Sequence, residues 1–332
     1  MLTSMEDGMP KLTSLEVCAG AGGQALGLEQ AGFDHVGLVE IDKHCCETLR
    51  HNRPQWNVLE TDIRAVDGKS FNGIDVFAGG LPCPPFSVAG KQLGEKDERN
   101  LFGDALRIIS EATPKMILIE NVRGFLDPVF APYRDFLRSR LSEMGYLVDW
   151  TLLNASTFGV PQLRPRVAIV AGLAQYWSHF RFPEPSGTPA SVGEVLFDLM
   201  AAEGWEGAAA WAKQANEIAP TIVGGSKKHG GPDLGPSRAR AAWAKLGVNG
   251  KTVAEVAPLP GFADMPRLTP RMVARLQGFP DDWHFTGRKT QAYKQIGNAF
   301  PPPVAKALGL AIRVAISKGD QRADRHLEVA AE

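Results

Sequence analysis

The run Leu15-Glu-Val-Cys18-Ala19-Gly20-Ala-Gly22-Gly23 passes from a short apolar strand candidate, Leu15–Ala19, directly into a glycine-rich turn. An apolar-periodic helical stretch, Ala25–Ala31, follows it. Glycines at such a turn let backbone approach a ligand, and the helix N-terminus behind them favours polar or negative ligand groups. The same rhythm continues downstream. Val36–Val39 predicts a second strand, Lys43–Asn52 a helix and Val58–Leu59 a short third strand. Ile74–Ala78, Met116–Ile119, Val148–Leu153 and Val167–Ala171 are further β-rich runs, several of them separated by helical patterns at Leu101–Ala112 and Tyr133–Met144. Strands alternating with helices predict an α/β fold built on a doubly wound, mostly parallel sheet.

From about Phe182 this alternation is lost. Residues 183–270 are rich in Pro, Gly, Ala and Trp and read as a second, smaller and irregular domain. The expected division is therefore 1–182, 183–270 and 271–332, the last part returning to the first domain. In Pro303–Lys318, Val304, Leu308 and Ile312 recur every fourth residue on one helical face. Pro303 suits a first helical position, and the last dozen residues are expected to be disordered.

With 332 residues, the chain has room for about two domains. Lys and Arg number 36 against 37 Asp and Glu, a net charge of −1 that excludes a histone-like or polybasic protein but not a local basic patch. The longest apolar run, Val167 to Leu173, falls far short of a membrane span, so no membrane partner is expected. The start carries Glu6 and Asp7 and lacks the basic-then-apolar order of a secretion signal. Four cysteines, with Cys45 and Cys46 adjacent, form neither a disulfide framework nor a C-x-x-C pair. The expectation is a cytoplasmic protein. Its seven histidines show no ligand spacing, so no metal is expected.

Three carboxylates and one cysteine carry the chemistry. Glu40, 20 residues beyond Gly20, ends the second predicted strand, where an acid accepts hydrogen bonds from both ribose hydroxyls. Asp62, just past the third strand, could receive an adenine amino group. Turn, Glu40 and Asp62 together point to a nucleoside cofactor, either a dinucleotide or S-adenosylmethionine. Gly79-Gly80-Leu81-Pro82-Cys83-Pro84-Pro85-Phe86-Ser87 follows the strand Ile74–Ala78, at the sheet edge where ligands bind. A cysteine stiffened by three prolines is poorly suited to packing and well suited to presenting a thiolate. Cys18, Cys45 and Cys46 read as small buried hydrophobes. Glu120, in Glu120-Asn121-Val122, emerges from a buried strand end, where desolvation raises a carboxyl pKa and lets it donate a proton.

The order of these motifs resembles the DNA cytosine-5 methyltransferases, especially those of bacterial restriction–modification systems, over residues 12–175 and 265–318. Gly20-Ala-Gly22-Gly23, Glu40 and Asp62-Ile63 look like that family's S-adenosylmethionine elements, and Pro82-Cys83 with Phe86-Ser87 like its nucleophile loop. Glu120-Asn121-Val122 is similar to its base-holding motif, and Gln162-Leu-Arg164-Pro-Arg166 to its paired-arginine motif. Arg267-Leu-Thr-Pro-Arg271 resembles the motif bracing the recognition region, and Gln295-Ile-Gly297-Asn298-Ala-Phe-Pro301-Pro302 the one that closes the cofactor pocket. There are departures: Cys18 stands where the family usually has Phe, Glu16 where it has Asp, and Pro84 where Gln is commoner.

The resemblance implies a Rossmann-like methyltransferase domain with a target-recognition domain at 183–270. It implies S-adenosylmethionine as cofactor, S-adenosylhomocysteine as product, and no metal. The cofactor would be held by Cys18, Ala19, Gly20, Gly22, Gly23, Glu40, Ile41, Asp62, Ile63, Pro82, Leu101 and Asn298. Cys83, Glu120, Arg164 and Arg166 would carry catalysis. The cytosine, unreachable inside a duplex, would be flipped out. Cys83 would add to its C6, Glu120 would protonate N3, and C5 would take the methyl group. Loss of the C5 proton and release of Cys83 would restore aromaticity.

Double-stranded DNA would be met by Ser87, Gln162, Lys227, Lys228, Arg238 and Arg240. Ser226–Lys251 carries six basic residues against Asp233 alone, a balance of +5 that leaves −6 for the rest of the chain. The chain is expected to be a monomer of the bacterial cytosol or nucleoid, paired in function but not physically with a restriction endonuclease. A tRNA cytosine-5 methyltransferase would lack the roughly 80 residues of 183–264 as a recognition domain. A non-catalytic regulator would have lost Cys83, Glu120 or Asn298. A nicotinamide oxidoreductase leaves Pro82-Cys83 and Arg164-Pro-Arg166 idle.

Overall fold

The structure, a computed structural model, describes residues 11–82, 101–224 and 231–331. Strand β1 (Leu12–Val17) leads through the glycine turn into helix α1 (Gly23–Gln30), and β2 (Phe33–Glu40) into α2 (Lys43–Asn52). Next come β3 (Val58–Glu60), β4 (Val76–Gly79), α3 (Phe102–Ala112) and β5 (Met116–Val122). Helix α4 (Ala131–Glu143) precedes the antiparallel pair β6 (Tyr146–Asn154) and β7 (Pro165–Leu173). Among the described residues, those beyond β7 contribute helices only. These are α5 (Ala174–Trp177), α6 (Val192–Ala201), α7 (Ala208–Gln214), α8 (Ser237–Lys245), α9 (Pro270–Leu276), α10 (Lys289–Asn298) and α11 (Pro302–Ala331).

The seven strands form one sheet in the order β3-β2-β1-β4-β5-β7-β6. All neighbours are parallel except β5–β7 and β6–β7, because β7 returns between β5 and β6. The mostly parallel, doubly wound α/β sheet is thus as expected. Strand order reverses between β1 and β4, and such a switch point opens a crevice at the strands' carboxyl ends. Register aligns four of those ends: Val17 pairs with Val39 and Gly79, and Gly79 with Ile119. Cys18, Glu40, Gly80 and Glu120 each lie one residue beyond these positions and so emerge along a single edge.

Strand β1 ends two residues earlier than the apolar run predicts. Cys18 turns to φ 53°, in the left-handed region, and the chain leaves the sheet there. At Gly22, φ is 85° and a Cβ would lie 2.7 Å from a Leu49 methyl, so only glycine fits. A Cβ on Gly23 would sit 2.2 Å from the Phe300 carbonyl oxygen, which brings the chain's closing motif against the turn.

Val304, Leu308 and Ile312 of α11 are buried with Leu28 and Ala31 of α1 and its C-terminal end, as their four-residue spacing predicts. The helix runs on through Ala331, where disorder was expected; Ala, Leu and Glu in 323–331 are strong helix formers. By composition Lys289–Arg322 could cross a membrane, but 61% of its most apolar window is buried, and packing accounts for that apolarity. Beside it on the same sheet face, Leu26, Leu38, Leu49 and Trp56 share one core with Leu196, Trp211, Trp243, Val273 and Ile296. Residues 192–296 therefore close over the α1–α2 side of the sheet edge.

Candidate active site

Burial at the switch point leaves a cavity of about 300 Å³ whose wall includes Cys18, Ala19, Gly20, Gly23, Glu40, Gly80, Glu120 and Asn298. A second hollow of about 130 Å³ lies beside it, lined by Cys18, Val39, Glu40, Ile41, Thr61, Asp62, Ile63, Arg64 and Leu101. Cys18 and Glu40 border both. The structure thus brings together most of the residues expected to hold a nucleoside cofactor. Gly22 lies behind the turn against Leu49 and Trp283. Pro82 is exposed and lines neither hollow.

Glu40 is held by its own surroundings. Its Oε2 accepts from the Gly20 amide at 2.7 Å, and its Oε1 from the Ile41 and Asp42 amides at 2.8 Å each. One carboxylate therefore fixes both the glycine turn and the loop into α2, whose N-terminus Asp42 caps. Ile41 stands 67% exposed beside it, an apolar surface facing the smaller hollow. Asp62 accepts from the Arg64 amide at 3.0 Å.

Glu120, 9% exposed, receives the Arg166 Nε at 2.7 Å on its Oε1. Burial pushes its carboxyl above the usual carboxylate range, outweighing the pull of Arg166 and Arg164. Its Oε2 lies 3.5 Å from where a Cβ on Gly80 would stand, so the segment entering the Cys83 loop passes directly beside it. Asn121 ties the same segment down, donating to the Leu81 carbonyl at 3.3 Å. Cys83 and Ser87 lie outside the described residues, as do Lys227 and Lys228. Burial and the neighbouring Glu40 raise the thiols of Cys18, Cys45 and Cys46, and none of the three is a ready thiolate.

Two expected site residues are engaged elsewhere. Gln162 was expected at the DNA but is fully buried. It accepts from the Ile222 amide at 2.9 Å and donates to Gln277 Oε1 at 2.6 Å and the Leu276 carbonyl at 3.1 Å. Its amide is saturated inside the protein and cannot reach a duplex. Arg164, also fully buried, donates to the carbonyls of Ile222, Gly297 and Ala299 at 2.6–2.9 Å. Of the paired arginines, only Arg166 braces Glu120; Arg164 instead fastens the closing motif to the segment before residue 225. Arg238 is exposed on α8, while Arg240 is half-buried and reaches Ser237 Oγ at 3.4 Å.

Residues 12–313 match the family of C-5 cytosine-specific DNA methylases. The chain belongs to that family. The methylase is 53% identical over 326 residues to the Type II methyltransferase M.NaeI of Lentzea aerocolonigenes, covering 96% of this chain and 79% of that one. It is also 53% identical over 312 residues to M.NgoMIV of Neisseria gonorrhoeae, covering 93% and 99%. It is therefore an enzyme, a DNA (cytosine-5-)-methyltransferase. Its fold matches a DNMT2 mutant of Spodoptera frugiperda with a TM-score of 0.66 at 21% identity, over 91% and 99% of the two chains. The Dnmt2 methyltransferase of S. pombe gives 0.60 at 18%, over 92% and 98%.

Sequence reasoning assigned no place at the methylase's cavity to Glu16, Gln24, Asp42, His44, Gln291 and Lys294, although all six line it. Glu16 and Gln24 sit in apolar surroundings at a strand end and a helix start, where polarity in a buried pattern was the available signal. Gln291 and Lys294, upstream of the closing motif on α10, carried none, because only tertiary folding returns that part of the helix to the cofactor side.

Proposed function

We propose that this methylase transfers the methyl group of S-adenosylmethionine to C5 of a cytosine flipped out of a specific double-stranded DNA sequence, as the modification half of a restriction–modification system. Its relatives at 53% identity carry Type II names, which supports the system-level reading. The observation that carries the chemistry is the shared edge. There, Arg166-braced Glu120 faces the same cavity as Glu40 and the glycine turn.

The residues present fit the cofactor. Glu40 stands between a hollow that suits a flat base and a larger cavity with unpartnered buried oxygens on Glu16 and Gln24. When bound, S-adenosylmethionine supplies a methyl group activated by its sulfonium. Glu40 would hold the ribose, Asp62 the adenine amino group, and Ile41 with Leu101 the faces of the base. Gly20, Gly23 and Asn298 would line the remaining wall. Glu120, its carboxyl pKa raised by burial, would give a proton to cytosine N3, and Arg166 would hold that carboxyl in place. Cys83 would add to C6, making C5 a nucleophile, and would leave as C5 loses its proton. Residues 183–270 would read the target, with Lys227, Lys228, Arg238 and Arg240 on the DNA. The chain would act as a cytosolic monomer, functionally but not physically paired with an endonuclease.

Bisulfite sequencing of plasmid from cells expressing the chain tests this reading. Protected cytosines in one sequence context are expected with the wild type and none with Cys83→Ser, whose hydroxyl is nearly isosteric but far less nucleophilic. Methylation that persists in Cys83→Ser rules out the covalent route.

A further inference from the structure

The motif Arg267-Leu-Thr-Pro-Arg271 divides its arginines between two tasks. Arg271 joins Arg275 on Asp281, and Arg275 also reaches Asp198 and the Val195 carbonyl of α6, so these two brace α9 against its neighbours. Arg267 takes no part in this. It is exposed, has no partner among the described residues, and lines a groove of about 600 Å³ together with Asn249 and Asp264. Val256, Leu259, Phe262 and Met265 line the same groove while 37–58% exposed. Four large apolar side chains left together in solvent mark a binding surface. Its walls are fixed before anything binds. The Ala254 amide bonds to the Leu268 carbonyl at 2.9 Å and the Asn249 amide to the Pro266 carbonyl at 2.8 Å. Trp205 Nε1 donates to the Phe262 carbonyl at 2.8 Å, and Glu206 accepts from the Gly261 amide at 3.0 Å.

The groove's neighbours indicate its occupant. Asn249 belongs both to the groove and to the basic stretch Ser226–Lys251. A Cβ on Gly250 would lie 3.2 Å from Arg240 Cγ, which brings the basic helix α8 to the groove's rim. A positive rim beside an apolar floor suits a duplex, with phosphates on the rim and base edges turned inward. Inside the groove the two charges are opposite in sign. Asp264 would repel a phosphate, yet a carboxylate accepts from the amino group of cytosine. A guanidinium donates two parallel hydrogen bonds to guanine O6 and N7, and apolar side chains pack on thymine methyls. We propose that this groove reads base edges of the target duplex and that Arg267 is a specificity-determining residue that pairs with a guanine. This rests on the sequence-specific DNA reading above. Phosphate contacts from the lysine-bearing stretch then hold any duplex, and the groove selects one among them.

Anisotropy titration of the full chain against two labelled duplexes tests this. One carries the sequence that bisulfite mapping shows to be methylated, and the other the same bases in scrambled order. Arg267→Ala should bind the first about fivefold to a hundredfold more weakly and the second as before. Its salt slope on the target should stay put, because no phosphate contact is lost. Unchanged affinity for S-adenosylhomocysteine shows that the variant is folded. Replacing each target guanine in turn by 7-deazaguanine, which lacks the N7 acceptor, should reveal one position where the wild type loses affinity and Arg267→Ala does not. Equal weakening on both duplexes, with a slope flatter by about 0.9, makes Arg267 a phosphate contact and overturns the proposal. So does unchanged affinity for both; a wild-type dimer that Leu259→Asp dissociates would then assign the groove to a second copy. A wild type that binds the two duplexes alike overturns the sequence-specific reading itself, and the groove's role with it. The 7-deazaguanine scan needs only the wild type to show a sensitive guanine, and its absence overturns the guanine assignment even if Arg267→Ala does not fold.

Discussion

Glu40 shows how one residue can serve structure and function together. Its carboxylate takes three backbone amides, from Gly20, Ile41 and Asp42, and so sets the shape of the pocket before any ligand arrives. Glu40→Ala should weaken S-adenosylhomocysteine binding by about tenfold to a hundredfold, since charge-assisted hydrogen bonds are worth roughly 1.5–3 kcal/mol. Isothermal titration measures this, and unchanged affinity would remove Glu40 from the ribose. His35 illustrates the opposite case, a titratable residue with a purely structural place. Its ring lies between Ser14 Oγ at 2.8 Å and the Ala25 carbonyl at 2.9 Å, and burial lowers its pKa to about 4. The unfolded chain, with an ordinary histidine pKa near 6.5, then binds the proton more readily than the folded one. Stability from this residue is fully present above about pH 6.5 and is lost as pH falls towards about 4, an effect on the order of 3 kcal/mol. Urea unfolding of wild type and His35→Gln at pH 7 and pH 5 should show the wild type losing more between the two values.

Elements, more than residues, decide how the pocket closes. Helix α11 lies along α1 with Leu308 fully buried, and the Arg313 guanidinium donates to the Ala31 carbonyl at 3.0 Å. Leu308→Ala should cost about 2–5 kcal/mol, the usual range for such a truncation. Because α11 follows directly on the closing motif, cofactor affinity should fall with it. Thermal melts with and without S-adenosylhomocysteine would record both effects, and a change below about 1 kcal/mol would mean that the contact is easily remade. The elements of the sheet were legible in the sequence because their periodicity is local. The apolar runs of β2, β4, β5 and β7 and the fourfold spacing of α11 need no tertiary information. The motifs at strand ends were legible for the same reason, since each is a short run in which type and spacing coincide. The fate of Gln162 and Arg164 was not. Gln162 reads as a DNA contact and Arg164 as a catalytic residue until folding brings Ile222, Gly297 and Ala299 around them, and only the folded chain shows that their donors and acceptors meet there. Arg166, two residues on, keeps its place at Glu120 because β7 pairs with β5 at that level, Val122 against Arg166.

The whole molecule divides its charge as it divides its tasks. Ser226–Lys251 holds a +5 balance in a chain whose remainder sums to −6, and it follows the segment that Arg164 and Gln162 fasten to the closing motif. A basic stretch anchored at its root to a rigid junction is suited to a duplex phosphate backbone, whose counterions it would release. If all six basic residues met phosphates, log affinity would fall against log salt with a slope near −5, at about −0.9 per phosphate. Arg240 is half-buried, and any member that reads a base or stays in solvent drops out of the count, so a contribution of about −2 to −4 is expected. Neutralising Lys227 and Lys228 together should flatten the slope by up to about 2 units, measured by anisotropy titration of a labelled duplex. Cofactor affinity, measured alongside, should not move in that double variant if the two lysines act on the duplex alone. An unchanged slope would make the pair a solvated surface. Exchange of residues 183–270 with those of a related enzyme carries the argument to specificity. The replaced stretch contributes Leu196, Trp211 and Trp243 to the core shared with Leu26 and Leu49, so a foreign stretch must bring matching apolar residues or the exchange will not fold. A folded, active exchange protein should methylate the donor's sequence, read by bisulfite sequencing. Retention of the original target in an active protein would place recognition outside 183–270.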